Sequence, residues 1–465
     1  MSKMKQDYAL ELPMAPTGIT VIIVGLGVAG LTAAIECHRK GHTVIGFEKA
    51  EKSRQIGDVF GISSNGALVI DQWGNGVVAE QLDSIRGVPD STDMHNSAGE
   101  LLQKNPTFGV RPGEGYLVNR AEAVEVFYQH AKKLGLDLRF GITVSEYWET
   151  EHEAGVIANE EKVNGDCVIA CDGIHSKARP IITGDSAGPK KTGSATYRAS
   201  FDSDCVGKDP DAQWLLDGRG KTDKLNYFIG ENILIIIGTM KYGKEIFWSC
   251  VHKSFHDVSE PWLQVSDVKH VLDYIEDWPF AKQLQSVIGK TPHGKCYDHL
   301  VLSMEPIDRF VSRKGRLMVI GDAAHPFLPT TGQGASQAIE DGAVVAICLE
   351  KAGKERVTLG FRMFEKLRQK RISLIQKSGL KILQNLHRAQ FDTENQNENP
   401  NTISRPLWIH GHNCQRHTYE EWPKALNAVI TGGKYIPTNI PADGIYRLVD
   451  EGKNISSAIL TERGN

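Results

Sequence analysis

Three stretches of this chain carry residue types suited to holding a cofactor with phosphates, a sugar and a reducible ring. In the first, ITVIIVGLGVAGLTAAIECHRKGHTVIGFEKA, a β-rich run from Ile19 to Val24 breaks at Gly25, Gly27 and Gly30. A helix-compatible stretch continues to Lys40, and a second strand pattern, Thr43 to Phe47, ends in Glu48. Gly25 permits the tight strand-to-helix turn, Gly27 lets backbone approach a pyrophosphate, and Gly30 lets helix and strand pack closely. The helix N-terminus then faces the phosphates with free N–H groups and a positive dipole end. Glu48 lies 18 positions after Gly30, where a carboxylate accepts from a ribose 2′-hydroxyl and repels a 2′-phosphate. This predicts FAD or NAD rather than NADP. A parallel αβ unit that binds nothing is the competing explanation, and the complete strand, loop, helix, strand and acid order weighs against it.

The other two stretches decide between the two nucleotides. CVIACDGIHSKARP, residues 167–180, predicts a buried strand followed by Asp172, Gly173, His175, Ser176 and Arg179. RLMVIGDAAHPFLPTTGQGASQAIEDGAVVAICLE, residues 316–350, predicts another buried strand, then Gly321, Asp322, a proline-rich turn and a helix opening near Gly332 to Gly334. Asp322, at a strand end, is placed to accept from a chain of hydroxyls. The turn Gly332-Gln333-Gly334 offers backbone donors and a helix N-terminus to a ring that gains negative charge. NAD needs neither feature, whereas a flavin uses both.

Together the three stretches resemble those of the group A FAD-dependent monooxygenases, the aromatic-hydroxylase superfamily, over most of residues 19–375. GLGVAG resembles the dinucleotide motif, CDGIHSKAR the DG motif and GDAAHPFLPTTGQGASQAIED the GD motif. The resemblance implies that Gly25, Gly27, Gly30 and Glu48, with the adjoining Lys49, hold the adenosine diphosphate half of FAD. Arg120, in YLVNRAEAV, resembles the arginine on the flavin side of the cofactor. Asp172 resembles the acid that supports both FAD and a transiently docked nicotinamide, NADPH or NADH. Asp322 would bind the ribityl chain, Pro326 would wall the ring, and Gly332, Gly334 and Ala335 would face it. Ser336 departs from the pattern, standing where many members carry Asn. In FEKLRQKRISLIQKSG, Phe364, Glu365, Arg368 and Arg371 recur at helical spacing as in the family's post-GD helix; a solvated basic face is the alternative.

The fold this implies is an α/β FAD-binding Rossmann-type domain (GR2-like) with an inserted antiparallel β-sheet substrate domain and a helical C-terminal tail. The expected division is residues 1–184 and 301–380 for the FAD domain, 185–300 for the substrate domain and 381–465 for the tail. In the family, reduced flavin and dioxygen give an electrophilic C4a-hydroperoxide, so the protein must exclude water, orient the acceptor and handle one proton. A disulfide reductase would want a second glycine fingerprint and a cysteine pair, and a flavin halogenase a W-x-W; the sequence has none of these. No metal ligand is called for.

The acceptor is expected among the strand-like runs SATYRASF, KLNYFIG, NILIIIGTM and EIFWSCVH. Tyr197, Trp214, Tyr227, Phe228 and Trp248 lie in or beside them, either as core or as a slot for a planar substrate. Arg198 is the foremost catalytic candidate, with Tyr197 beside it, because an arginine within a strand is costly to bury without a partner. It resembles the substrate-domain arginine of fungal members, and could anchor an anionic ring, donate to an oxygen released by epoxide opening, or form a structural ion pair.

Within the family, the likeness (VGLGVAGL, IGD, SSNG, ATYRA, GDAAHP, GQGASQ, WIHGH) runs to fungal indole-alkaloid monooxygenases. These epoxidise the indole 2,3-bond of a prenylated substrate to reach a spiro-oxindole. A phenol or salicylate-type hydroxylase, a flavin dehydrogenase or prenyl reductase, and a non-enzymatic escort protein on the same fold are the rivals.

The whole chain must supply a frame for these sites. Its 465 residues are about three times a typical domain of ~150, enough for two or three units with a large core. Hydrophobic residues at 40% and charged residues at 24% exclude disorder and fibrous repeats. A net charge of -4 favours small-molecule partners over nucleic acid or anionic membrane. Eight cysteines without a C-x-x-C pair, no apolar signal segment and no membrane-length run predict a reduced, cytoplasmic setting. The tail opens with a polar, linker-like stretch, FDTENQNENPNTISRP, and then crowds His410, His412, Cys414 and His417 together; a docked segment is expected there rather than zinc.

Overall fold

The computed structural model describes residues 14–52, 58–106, 114–253, 264–388 and 406–447. The N-terminal segment up to residue 13 and the linker-like stretch up to residue 405 lie outside the described residues.

The apolar run predicted at the start forms the strand Thr20–Val24, central in a five-stranded parallel sheet. Thr43–Glu48 and then Asp137–Phe140 lie on one side of it, and Cys167–Ala170 and then Leu317–Val319 on the other. Continuous apolar strands of this kind need cover on both faces. The fingerprint helix Val28–Arg39 packs against the helix Gly334–Ala352, which is buried along nearly its whole length. A helix buried on all sides must be wrapped, and its buried Gln337, Glu340 and Asp341 must find partners inside. Its other neighbours include the short helix Ser64–Ile70, the long helix Val357–Arg388 and the tail helix Cys414–Thr431.

The second sheet has seven strands, in the order Tyr297–Ser303, Lys190–Asp202, Glu245–Lys253, Ile233–Met240, Leu225–Gly230, Ser91–Asn96 and Leu101–Pro106. Its neighbours are antiparallel except Leu225–Gly230 and Ser91–Asn96, which pair in parallel. The last two strands come from well before the inserted segment, and nothing in their local pattern pointed to that sheet.

Because side chains alternate across a strand, one face of this sheet takes Tyr197, Phe228, Ile235, Ile237, Trp248 and Cys250 into a second core beneath the helices Lys269–Tyr274 and Ala281–Ile288. Trp214 packs edge-on against Phe228 at 5.7 Å there, and Phe228 stacks on Phe280 at 5.2 Å. Four of the five aromatics named as a possible slot are therefore core, and only Tyr227 faces the other way.

The tail is docked. His410 and Cys414 are buried, and His412 lies edge-on to His417 at 5.0 Å. Among the described residues, no helix is long and apolar enough to cross a membrane.

The fingerprint helix ties this assembly together through Glu36, whose buried carboxylate accepts from Trp73 Nε1 at 2.7 Å, Arg39 Nη1 at 2.6 Å and the tail's Gln415 Nε2 at 3.0 Å. Replacing it by an apolar residue strands the buried indole N–H, at a cost of about 1–3 kcal/mol. Glu36→Leu is expected to lower the unfolding free energy by that amount, seen as a lower urea midpoint with an unchanged slope. An unchanged midpoint in urea unfolding would show that this three-way junction carries no stability.

Candidate active site

At the glycine loop, the Gly25 N–H donates to Phe47 O at 2.8 Å, joining the loop to the neighbouring strand end. A Cβ built at Gly30 falls 1.8 Å from Gly25 O, so the loop and helix are in the close contact expected of that glycine. A Cβ at Gly27 meets nothing within 4 Å: the loop there borders open space at a helix N-terminus. Glu48 braces the loop from the next strand, its Oε2 accepting from Leu26 N and its Oε1 from Ala50 N, both at 2.9 Å. Lys49 beside it is exposed.

Asp172 follows the strand Cys167–Ala170. Its Oδ2 accepts from Tyr147 Oη at 2.8 Å and Lys177 N at 3.0 Å. Its Oδ1 is buried and accepts from no described residue. Burial and the adjoining Asp172 charge raise the Tyr147 hydroxyl well above its ordinary pKa, so it remains a donor.

The third motif lies across the sheet's carboxyl ends, where ligands bind in folds of this class. Asp322 is exposed, yet protein surrounds it closely enough that burial raises its carboxyl above the usual range, opposed by Arg120 and His325. Solvent access combined with dense surroundings marks the wall of a recess. His325 Nε2 meets Asp341 Oδ2 at 2.5 Å, and the same oxygen accepts from Gly321 N at 3.1 Å. Pro326 is buried beside a cavity also lined by Met304, Leu328 and Gln376. Gly332 turns in the left-handed region at φ 59°, and the helix Gly334–Ala352 starts two residues later with Ala335 in its first turn. Ser336, the departure from the family pattern, accepts from Ser63 N through its hydroxyl at 2.8 Å.

Arg198 is buried on the sheet face opposite the second core and pairs with Asp58. Asp58 O accepts from Arg120 N at 2.8 Å. Burial raises the Asp58 carboxyl, with Arg198 and Arg120 opposing. Arg198 pairs with Asp58, and Arg120 lies close enough to favour the charge of both Asp58 and Asp322, so opposite charges neighbour one another from the second sheet to the cofactor motifs. Around Arg198 the same face carries Ser249 and Tyr297, its register partners, the latter ring 5.8 Å from the guanidinium. It also carries Tyr227, Leu234, Ile236 and Val251, all half-buried, of which Tyr227 and Ile236 pack beside the small buried cluster of Leu117, Leu225, Met240 and Phe247. Burial first, then Arg198, push His299 down to about 3, so it stays neutral.

The structure thus brings Arg198 and Arg120 together with the third motif, and keeps Tyr197 apart. Tyr197 points from the other side of the same strand and stacks on His252 at 4.8 Å. Asp58 and His299 carried no role in the sequence. Asp58 was visible only as part of IGD, and strict alternation around Arg198 is the signal that could have marked Tyr297 and His299.

Comparison with known proteins identifies the family. A family described as an FAD binding domain matches residues 18–231 and 304–359. Notoamide E oxidase of Aspergillus versicolor is 44% identical over 436 residues, covering 93% of this chain and 96% of that protein. Asperlicin C monooxygenase of Petromyces alliaceus is 40% identical over 435 residues, covering 93% and 94%. The crystal structure of CtdE with FAD and a substrate matches at 50% identity and TM-score 0.85, over 89% of this chain and all of the other. A salicylate hydroxylase complex, at 19% identity and TM-score 0.70, shares the fold alone.

The recess fits FAD on this chain's own evidence: open space at Gly27, a buried acceptor at Asp172 with an oxygen to spare, and the crowded but accessible Asp322. Gly27 and Gly30 are separable by experiment. Gly27→Ala is expected to fold normally and lose FAD affinity by at least ~tenfold, about 1.4 kcal/mol, because its methyl enters the space beside the pyrophosphate. Gly30→Ala, driven into a carbonyl, is expected to lose the fold itself. Circular dichroism with FAD titration checks both, and wild-type FAD affinity in Gly27→Ala would refute the placement.

Proposed function

Since the chain belongs to the FAD-dependent monooxygenases of fungi, we propose that it inserts one oxygen atom across the indole 2,3-bond of a neutral, prenylated alkaloid, whose epoxide then collapses to a spiro-oxindole. Bound FAD supplies the redox chemistry, passing two electrons from NADPH or NADH to dioxygen and delivering an electrophilic oxygen. One oxygen atom enters the substrate and the other leaves as water. The collapse conserves composition: a C–O bond of the epoxide breaks, a ring substituent migrates and the remaining C–O becomes a carbonyl.

The observation carrying this choice is the charge balance of the recess. Asp58 already compensates Arg198, Asp322 stands beside Arg120, and His299 is neutral. Among the described residues no surplus positive charge is left to anchor a phenolate or carboxylate, which weighs against the salicylate-type alternative. A guanidinium held by Asp58 and set beside Tyr297 keeps its planar fork of donors in place for an oxygen that gains charge as the epoxide opens. The half-buried Tyr227, Leu234, Ile236 and Val251 offer the apolar surface that a prenylated indole would cover. Names of the relatives support the class, since notoamide E and asperlicin C are the substrates those names print.

Incubation with NADPH, labelled dioxygen and a prenylated indole alkaloid is expected to yield a product one labelled oxygen heavier, while a small phenolic acid is left unchanged. Arg198→Ala should lose ~100-fold in turnover, the usual effect of removing a donor to developing charge, with FAD binding intact. Turnover within a few-fold of wild type, or preference for the phenolic acid, would overturn the assignment.

A further inference from the structure

We propose that the docked C-terminal segment is a working part of the flavin pocket, with Arg371 as the positioning residue that connects the two. The inference rests on the reading that the Gly332–Gly334 turn faces the flavin ring. Arg371 is fully buried in the long helix. Its Nη1 donates to Trp408 O at 2.7 Å and Asn439 O at 2.8 Å, and its Nη2 to Ile409 O at 3.1 Å. One guanidinium thereby clamps three carbonyls from two separate parts of the tail. Ser64 Oγ adds a fourth tie, to His410 O at 2.5 Å.

The same guanidinium reaches Glu340 through Nε and Nη2, both at 3.3 Å. Glu340 accepts from Asn65 Nδ2 at 2.6 Å, and Asn65 Nδ2 also reaches Gln333 Oε1 at 3.3 Å. Gln333 is the middle residue of the turn, and every end of its carboxamide is engaged: Gln337 donates to its Oε1 at 3.1 Å, and its Nε2 donates to Ser63 Oγ at 3.0 Å. Burial opposes charge on Glu340, yet Arg371 and Arg368 hold its carboxyl far below the ordinary range, so the junction stays ionised.

This chain of contacts fixes where the backbone donors at the start of the helix Gly334–Ala352 point. Lysine cannot span the three carbonyls and the carboxylate together, being a point charge without a fork. Loss of Arg371 leaves three tail carbonyls and Glu340 short of donors, and loss of Asn65 takes away one of the three side-chain hydrogen bonds that hold Gln333.

Two variants test the proposal: Arg371→Lys, which weakens the clamp, and Asn65→Ala, which removes the shorter of the two bridges from Glu340 to Gln333, leaving the one through Gln337 and every tail contact in place. The proposal expects FAD dissociation constants about tenfold higher than wild type in both (a change of ~1.4 kcal/mol). It also expects a displaced visible absorption band of the bound flavin, and wild-type resistance of the tail to trypsin in Asn65→Ala. If Asn65→Ala is folded, trypsin-resistant and unchanged in both flavin readouts, the tail is only packing and the proposal is overturned. Should Arg371→Lys fail to fold, Asn65→Ala still decides. Wild-type protein unable to bind FAD would instead remove the flavin reading beneath the proposal, before any variant is compared.

Discussion

An ion withdrawn from water must take its counter-ion with it, and this structure is organised around that requirement. Arg368 and Arg371, on the long helix, are buried against Glu340 and Asp341, on the helix that follows the third motif. Burial works against the Asp341 charge, and His325, Arg368 and the Gly321 N–H outweigh it and hold the carboxyl low. Two guanidinium groups and two carboxylates balance, and backbone carbonyls of the tail absorb the remaining donors. Such a cluster contributes little net stability compared with apolar residues of the same volume, because desolvation offsets most of the attraction. What it supplies is a unique arrangement: each partner sits on a different element, so any misregister leaves a bare charge in the interior.

The same constraint reaches the chemistry. The alternating run from Arg198 to Asp322 keeps the recess near neutrality while leaving strong, oriented donors in it. On the proposed reading, a neutral acceptor would be held by apolar contact and a few directed hydrogen bonds instead of by long-range attraction. Pairing also restrains Arg198 so that its donors face one direction. A catalytic arginine with no carboxylate beside it would attract anions of many shapes; a paired one selects by geometry.

Legibility from sequence follows sequence separation. The glycine loop, Glu48, Asp172 and Asp322 each act within a short local frame of strand, turn and helix, and their types and spacing revealed both the fold class and the cofactor. Arg198 was conspicuous for its strand setting, but its partner Asp58 lies 140 positions away, and no local pattern pairs them. Arg368 and Arg371 sit in a stretch rich in Lys and Arg, which suggests a solvated face; they are buried because acids 27 to 31 positions earlier meet them across a helix interface. Alternation divided the substrate sheet into two faces without saying which one looked inward. Four of the five aromatics weighed as core or slot accordingly fell into the second core, and the more modest face of Tyr227, Ser249, Tyr297 and His299 borders the recess.

The tail and the edge strands make the same point at a larger scale. Ser91–Asn96 and Leu101–Pro106 belong to the first part of the chain yet complete the sheet of the inserted one, and the tail returns to close over the helix that presents the third motif. The two units therefore share strands and buried charges, unlike domains that meet only at a polar surface. A cofactor spanning such a junction binds elements already held in common, so its free energy of binding adds to the stability of the whole assembly and not to one domain alone. The recess exists only once residues near 58, 120, 198 and 322 have come together. It is a product of tertiary structure, which is why its acidic and basic members are interpretable as a set and not one at a time.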